Sequence, residues 1–304
     1  NMIEKVLIAN RGEIALRIIR GCKALGLKTV AVYSDEDVNS LHVKQATESY
    51  HIGEAAPAKS YLNQEKILEV MLSSGTDAVH PGYGFLSEND DFARLCEKNK
   101  INFIGPSADS MNLCGDKMEC KAAMLKAKVP TVPGSPDLVK DADEAEKIAN
   151  DIGYPVMLKS VYGGGGRGIR LVTNDKELLE GFATVTSESI AAVGKSAIIV
   201  EKFLEKTRHI EYQMCRDHHG NAVHLFEREC SIQRRNQKLI EQTPSPVVDE
   251  AKREEIGELV VKAAKAVDYT NLGTAEFLRA DNGEFYFIEI NARLQVEHPI
   301  SEMV

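Results

Sequence analysis

Gly163-Gly164-Gly165-Gly166-Arg167-Gly168 strips the chain of nearly all side chains, so successive backbone N–H groups can close on an anion as a concave nest. A phosphate is the natural occupant. Walker-type loops and dinucleotide fingerprints run into a helix, whereas here the apolar run Ile169-Arg170-Leu171-Val172 follows, which predicts a glycine hairpin between two strands. Lys159 on the preceding strand and Lys117 at the start of an earlier helix could each bring an ammonium to phosphate charge. The plain alternative is a surface loop, but four glycines in a row cost backbone entropy that a mere connection need not incur.

A second group is acidic. Gly273 to Arg279 and Glu284 to Asn291 read as two strands joined by Ala280-Asp281-Asn282-Gly283, a strong hairpin signal. A two-residue loop sets Glu276 directly opposite Glu289, and a four-residue loop makes them diagonal neighbours on one sheet face. Two carboxylates so placed repel each other, so the pair binds a proton or a cation. Magnesium suits hard oxygen ligands, and Asn291, two residues on, can add another oxygen. The competing reading is an ion-paired sheet face with Arg279 or Arg293 as partner. Beyond the hairpin, Arg293-Leu294-Gln295-Val296-Glu297-His298-Pro299 sets an arginine fork beside a carboxylate, Arg293 suited to a small oxyanion and Glu297 to a general base. His209 reads equally well as a satisfied core histidine, and His218-His219 lie in a polar turn.

The elements that position these residues alternate. Lys5 to Asn10, Lys28 to Tyr33, Asp77 to His80 and Asn102 to Gly105 read as strands separated by helical periods, which predicts a parallel sheet with right-handed crossovers, a Rossmann-like domain. Its first strand-to-helix turn carries only Gly12, too few glycines for a dinucleotide site. The boundary is expected at 115/116, giving an N-terminal domain 1–115 and a second domain 116–304. The second opens with a helix from about Asp116 to Lys128 and a hinge near Pro130 to Pro136. With 304 residues, 43% hydrophobic and 27% charged, the chain is globular, and its net charge of −9 disfavours nucleic acid and anionic membrane. No apolar run reaches the ~18 residues of a membrane span, and a cytoplasmic protein is expected. The six cysteines form no C-x-x-C pair and read as buried thiols.

Several segments together resemble the biotin carboxylase family of the ATP-grasp superfamily, of the kind found as a subunit of bacterial acetyl-CoA carboxylase. They are Ala9 to Ala15, His80 to Asn89, Gly115-Asp116-Lys117, the glycine run, Arg228 to Arg235 and Ile290 to Pro299. The resemblance implies a Rossmann-like domain followed by an ATP-grasp fold (α+β) with a mobile lid at about 131–203. It implies adenine lined by Glu201, Lys202, Phe203 and Leu204, with His209 and Gln233 nearby and Asn236 on the ribose side. Lys117, Lys159, Gly165 and Gly166 would hold phosphates, and Glu276, Glu289 and Asn291 would hold Mg²⁺, or Mn²⁺ in its place. Lys238, Arg293, Gln295 and the Val296 backbone would grip bicarbonate, Glu297 would remove its proton, and Tyr83 would lie near biotin.

The implied reaction is ATP-dependent carboxylation of biotin on a biotin carboxyl carrier protein through carboxyphosphate, the first half-reaction of acetyl-CoA carboxylase, serving fatty acid biosynthesis. Carboxyltransferase subunits are the implied further partners, and a homodimer the implied assembly. Family members continue well past the equivalent of Val304, with an arginine that meets both bicarbonate and biotin. The chain therefore reads as shortened at its C-terminal end, with turnover weakened. The alternatives are the biotin carboxylase portion of a pyruvate or propionyl-CoA carboxylase, a carbamoyl-phosphate synthetase-like ligase, and a noncatalytic nucleotide-binding module.

Overall fold

The computed structural model describes residues 2–161, 168–235 and 237–304. The chain forms two compact units. One holds residues 1–116, 211–276 and 290–304, the other 117–210 and 277–289, so the chain leaves the first unit and returns to it twice.

In the first unit β1 (Lys5–Ile8), α1 (Gly12–Ala24), β2 (Lys28–Ser34), a short α2 (Leu41–Gln45), β3 (Glu48–Gly53), α3 (Gln64–Ser73), β4 (Ala78–His80), α4 (Asp90–Lys98) and β5 (Asn102–Phe103) build a parallel sheet of order β3-β2-β1-β4-β5. Alternate residues along each strand serve opposite faces. Leu7, Val30 and Val79 pack with Ile67, Met71 and Phe92 of α3 and α4, whereas Val6, Ile8 and Ala31 pack with Ile14, Ile18 and Ile19 of α1. The Rossmann-like expectation therefore holds, with one strand more than the periodicity shows. That strand, β3, is an edge strand whose Glu48, Tyr50 and Gly53 stay partly exposed, so no apolar run announces it. Asn63 and Asn89 start α3 and α4 by accepting from the backbone N–H of Lys66 and Phe92.

α5 (Ala108–Gly115) ends this segment, and α6 (Lys117–Lys126) opens the second unit. The helix expected from Asp116 to Lys128 is thus α6, two residues shorter at its end. α7 (Ala142–Ile152), β6 (Val156–Ser160), β7 (Ile169–Val172), α8 (Asp175–Val193) and β8 (Ile198–Lys202) follow, with sheet order β7-β6-β8 and both pairings antiparallel. β6 pairs β7 from Val156↔Val172 to Lys159↔Ile169, so the glycine run joins two strands of one antiparallel pair as the sequence predicts; residues 162–167 themselves lie outside the described residues. Val156, Leu158, Leu178, Phe182, Ile198 and Val200 form this unit's core.

β9 (Arg208–Arg216), β10 (Ala222–Arg234), β11 (Gln237–Gln242), α9 (Glu250–Ala266), β12 (Asn271–Arg279), β13 (Phe285–Asn291) and α10 (His298–Glu302) complete the chain, with sheet order β11-β10-β9-β12-β13. The β12–β13 turn corrects the sequence expectation of a two- or four-residue loop. Gly283 N–H donates to Ala280 O at 3.0 Å and Ala280 N–H to Glu284 O at 2.8 Å, so Ala280 pairs with Glu284. Asp281 and Asn282 make the turn, and Gly283 takes a left-handed φ of 87° in the bulge that closes it. Phe277 accordingly packs its ring on Phe285 and Phe287. Along β13 the buried positions run Phe285, Phe287 and then Ile290, a slip of one residue, after which Glu289 and Asn291 alternate with Ile290. No helix among the described residues is long and apolar enough to cross a membrane, and all six cysteines are free, five of them buried.

Candidate active site

Two cavities collect most of the residues singled out from the sequence. In the first unit a cavity of about 600 Å³ is lined by Lys238, Glu276, Asn291, Arg293, Gln295 and Glu297, among others. At its centre, Lys238 on β11 donates to three carboxylates, Glu211 at 2.5 Å, Glu276 at 2.8 Å and Glu297 at 3.0 Å. Burial alone would lower the Lys238 ammonium's pKa, but Glu211 and Glu276 outweigh it and hold it well above the ordinary lysine value. Glu297 shows the reciprocal balance. Burial pushes its carboxyl up, Lys238 pulls it down, and the result lies below the usual carboxylate range. The candidate base is therefore ionised at neutral pH.

Glu276 Oε1 also accepts from Asn291 Nδ2 at 2.7 Å and Gln295 Nε2 at 3.3 Å. Arg293 Nε donates to Glu88 at 2.9 Å, and its Nη2 lies 3.4 Å from Asn291 Oδ1. Val296, 59% exposed, also lines the cavity. Two buried residues that sequence reasoning missed hold this arrangement. Glu211 lies on β9 and Arg228 on β10, and both side chains are fully buried, with Arg228 Nε donating to Glu211 Oε1 at 2.6 Å. Arg228 belongs to a segment quoted for the resemblance, but nothing in its spacing shows what it touches. Glu241 shares the cavity, its carboxyl raised by burial and by Glu297 and Glu211.

In the second unit a cavity of about 420 Å³ is lined by Lys117, Lys159, Glu201 through Leu204, and Glu289, among others. It is walled by apolar residues such as Met157, Ile169 and Phe287, with a few charged groups converging on it, the ordinary make-up of a small-molecule site. Glu201 accepts from Lys159 at 2.7 Å and from Lys121 at 3.3 Å. Burial raises its carboxyl, and the two ammonium groups more than reverse that. Lys121, one helical turn after Lys117, shares its face of α6, a signal the sequence did carry. Lys202 turns its ammonium instead to the Gly153 and Tyr154 carbonyls, both at 2.9 Å.

His209 and Gln233 do not appear among the residues lining either cavity. His209 lies on β9, and Gln233 Nε2 donates to Cys230 O at 2.8 Å. Tyr83 donates its hydroxyl to Glu13, and burial together with that carboxylate pushes the phenol up. Gly165, Gly166 and Asn236 lie outside the described residues. Glu276 and Asn291 line the first unit's cavity and Glu289 the second's, and each offers a hard oxygen of the kind Mg²⁺ takes.

The description of a biotin carboxylase N-terminal domain matches residues 2–111, and that of a carbamoyl-phosphate synthase L chain ATP-binding domain matches residues 116–304. The biotin carboxylase of Nostoc sp. is 53% identical over 301 residues, covering 99% of this chain and 67% of its own. The chain belongs to the biotin carboxylase family. As such it is an ATP-dependent carboxylase of the ligase class, with a parallel-sheet N-terminal domain and an ATP-grasp fold. Biotin carboxylase of Campylobacter jejuni, solved as a β,γ-ATP complex, superposes with a TM-score of 0.90 at 48% identity, covering 100% of this chain and 68% of its own. The biotin carboxylase domain of Hydrogenobacter thermophilus 2-oxoglutarate carboxylase, solved as a dimer with MgADP, ADP and bicarbonate, does so with 0.88 at 51%, covering 100% and 67%. The chain thus spans about two thirds of the length of these relatives.

Proposed function

We propose that this chain carries out biotin carboxylation with ATP and bicarbonate. The observation that carries the proposal is the Lys238 cluster. An ammonium held among carboxylates, a guanidinium and an ionised Glu297 converge on one cavity that a small oxyanion bearing an acidic proton could enter. ATP would occupy the second unit's cavity, with Glu201 to Leu204 at adenine, His209 and Gln233 nearby, Asn236 at the ribose, and Lys117, Lys159, Gly165 and Gly166 at the phosphates. Glu276, Glu289 and Asn291 would hold Mg²⁺, with Mn²⁺ as a substitute. Bound there, the ion would neutralise phosphate charge.

Bicarbonate would lie against Lys238, Arg293, Gln295 and the Val296 backbone, with Glu297 taking its proton as the oxygen attacks the γ-phosphorus and ADP departs. Carboxyphosphate then splits to CO₂ and phosphate. The phosphate takes the proton from the biotin ureido nitrogen, which adds to CO₂, with Tyr83 near that ring. The ATP-grasp domain would run over 116–304, with its lid at about 131–203, after a domain at 1–115.

The biotin would be that of a carrier protein, with carboxyltransferase subunits downstream and a homodimer as the assembly. Acetyl-CoA is the acceptor proposed, in the cytoplasm, for fatty acid biosynthesis. The decisive experiment is bicarbonate-dependent ATP hydrolysis in the full polypeptide. It should rise with free biotin and fall sharply in Glu289→Gln. Stimulation by ammonia instead would favour a carbamoyl-phosphate type of ligase, and MgATP binding without phosphate release a noncatalytic module. Pyruvate or propionyl-CoA accepting carboxyl from the loaded carrier in place of acetyl-CoA would correct the acceptor.

A further inference from the structure

Arg228 is an unusual residue to bury. All five of its N–H donors are used inside the first unit: Nε on Glu211, one terminal nitrogen on Gln213 at 2.8 Å and Ser301 at 2.9 Å, the other on Gln295 at 2.9 Å and Thr274 at 3.4 Å. One of these acceptors, Gln295, lines the cavity, and another, Glu211, anchors Lys238, which lines it too. Gln295 gives its Oε1 to Arg228, which leaves Nε2 directed at Glu276 and the cavity side. Turned the other way, the amide would set its NH₂ against the guanidinium, donor against donor. Glu211 gives Oε1 to Arg228 and Oε2 to Lys238, so the same guanidinium fixes the carboxylate that anchors the lysine.

We infer that Arg228 is a positioning residue for the anion site: it fixes Gln295 as a hydrogen-bond donor toward bicarbonate and, through Glu211, sets where the Lys238 ammonium stands. The inference rests on the bicarbonate reading above. Lysine in its place would keep the positive charge but lose the planar fork that reaches both acceptors at once. The role is therefore one of geometry, and it should show in bicarbonate affinity and not in ATP affinity, whose cavity Arg228 does not line.

The test is steady-state kinetics of the full polypeptide with wild type, Arg228→Lys, Gln295→Ala and the double variant. Arg228→Lys should raise KM for bicarbonate at least about tenfold while KM for MgATP stays within about twofold, and the bicarbonate effect should shrink in the Gln295→Ala background because the two act on one contact. A bicarbonate KM unchanged in folded Arg228→Lys, or fully additive effects in the double variant, would overturn the inference. Wild type without any bicarbonate dependence would instead defeat the underlying functional reading. If Arg228→Lys does not fold, Gln295→Glu, which leaves Arg228 in place but presents an acceptor to the anion, should raise bicarbonate KM by at least the same factor. An unchanged KM there overturns the inference equally.

Discussion

Replacing Lys238 with methionine removes the ammonium that Glu211, Glu276 and Glu297 share, while Glu211 keeps its bond to Arg228. The side chain is 19% exposed, and its carboxylate partners are between 0% and 10% exposed, so solvent screening is weak. Breaking a buried ion pair from one side typically costs about 3–5 kcal/mol, because the acids left behind are uncompensated. The sign with pH is fixed by both partners. Glu297, depressed when folded, contributes stability above the usual carboxylate range and loses it as pH falls through its folded value. Lys238, raised when folded, contributes below its unfolded value of 10.5 and loses it as pH rises through the folded one. In Lys238→Met Glu297 loses the ammonium that holds its carboxyl down and takes up a proton more readily, so the penalty should be full at about pH 7.5 and shrink toward about pH 4.5. Urea melts of both proteins at the two pH values measure it. Equal stability at neutral pH, or a deficit that does not change with pH, would refute the electrostatic account.

Asp37 is held at about 2 by its bond to Arg11, against an ordinary 3.8, so Asp37→Asn should lose about 2 kcal/mol in melts above pH 4 and almost nothing near pH 2. Lys121→Met leaves Glu201 with Lys159 as its remaining ammonium in this pair of bonds and draws it away from phosphate. MgATP binding by calorimetry should weaken several-fold while bicarbonate KM holds. Phe277→Ala, emptying a fully buried ring site against Phe285 and Phe287, should cost about 3–5 kcal/mol in chemical denaturation. Glu289→Gln should lower bicarbonate-dependent ATPase by on the order of 100-fold and raise the Mg²⁺ concentration needed for half-maximal rate.

The parallel sheet was legible because β1, β2 and β4 are short apolar runs punctuated by helical periods, and the glycine hairpin because a strand follows where a phosphate-binding helix would have to begin. β3 escaped because Ile52 is its one buried residue and only pairing with β2 makes it a strand. Hairpin existence could be read from Asp281-Asn282-Gly283, but register could not, since one bulged glycine decides it. Lys238 and Glu297 were reached through likeness and local charge. Glu211 and Arg228 were not, because a buried salt bridge is a property of three strands meeting and leaves no period in any one of them. Lys121 and Glu201 could each be singled out, but not the bond between them, since they stand 80 residues apart.

The triple grip on Lys238 changes what an incoming anion encounters. Its ammonium is already satisfied, so a visitor gains only the difference between its own attraction and that of the tethered acids it displaces. Chloride or nitrate, with no hydrogen to offer, would have to dislodge Glu297 and give it nothing in return. An oxyanion carrying an acidic proton could bond to that same carboxylate while meeting the ammonium, so on the bicarbonate reading the resting ion pair would favour protonated guests over common salt.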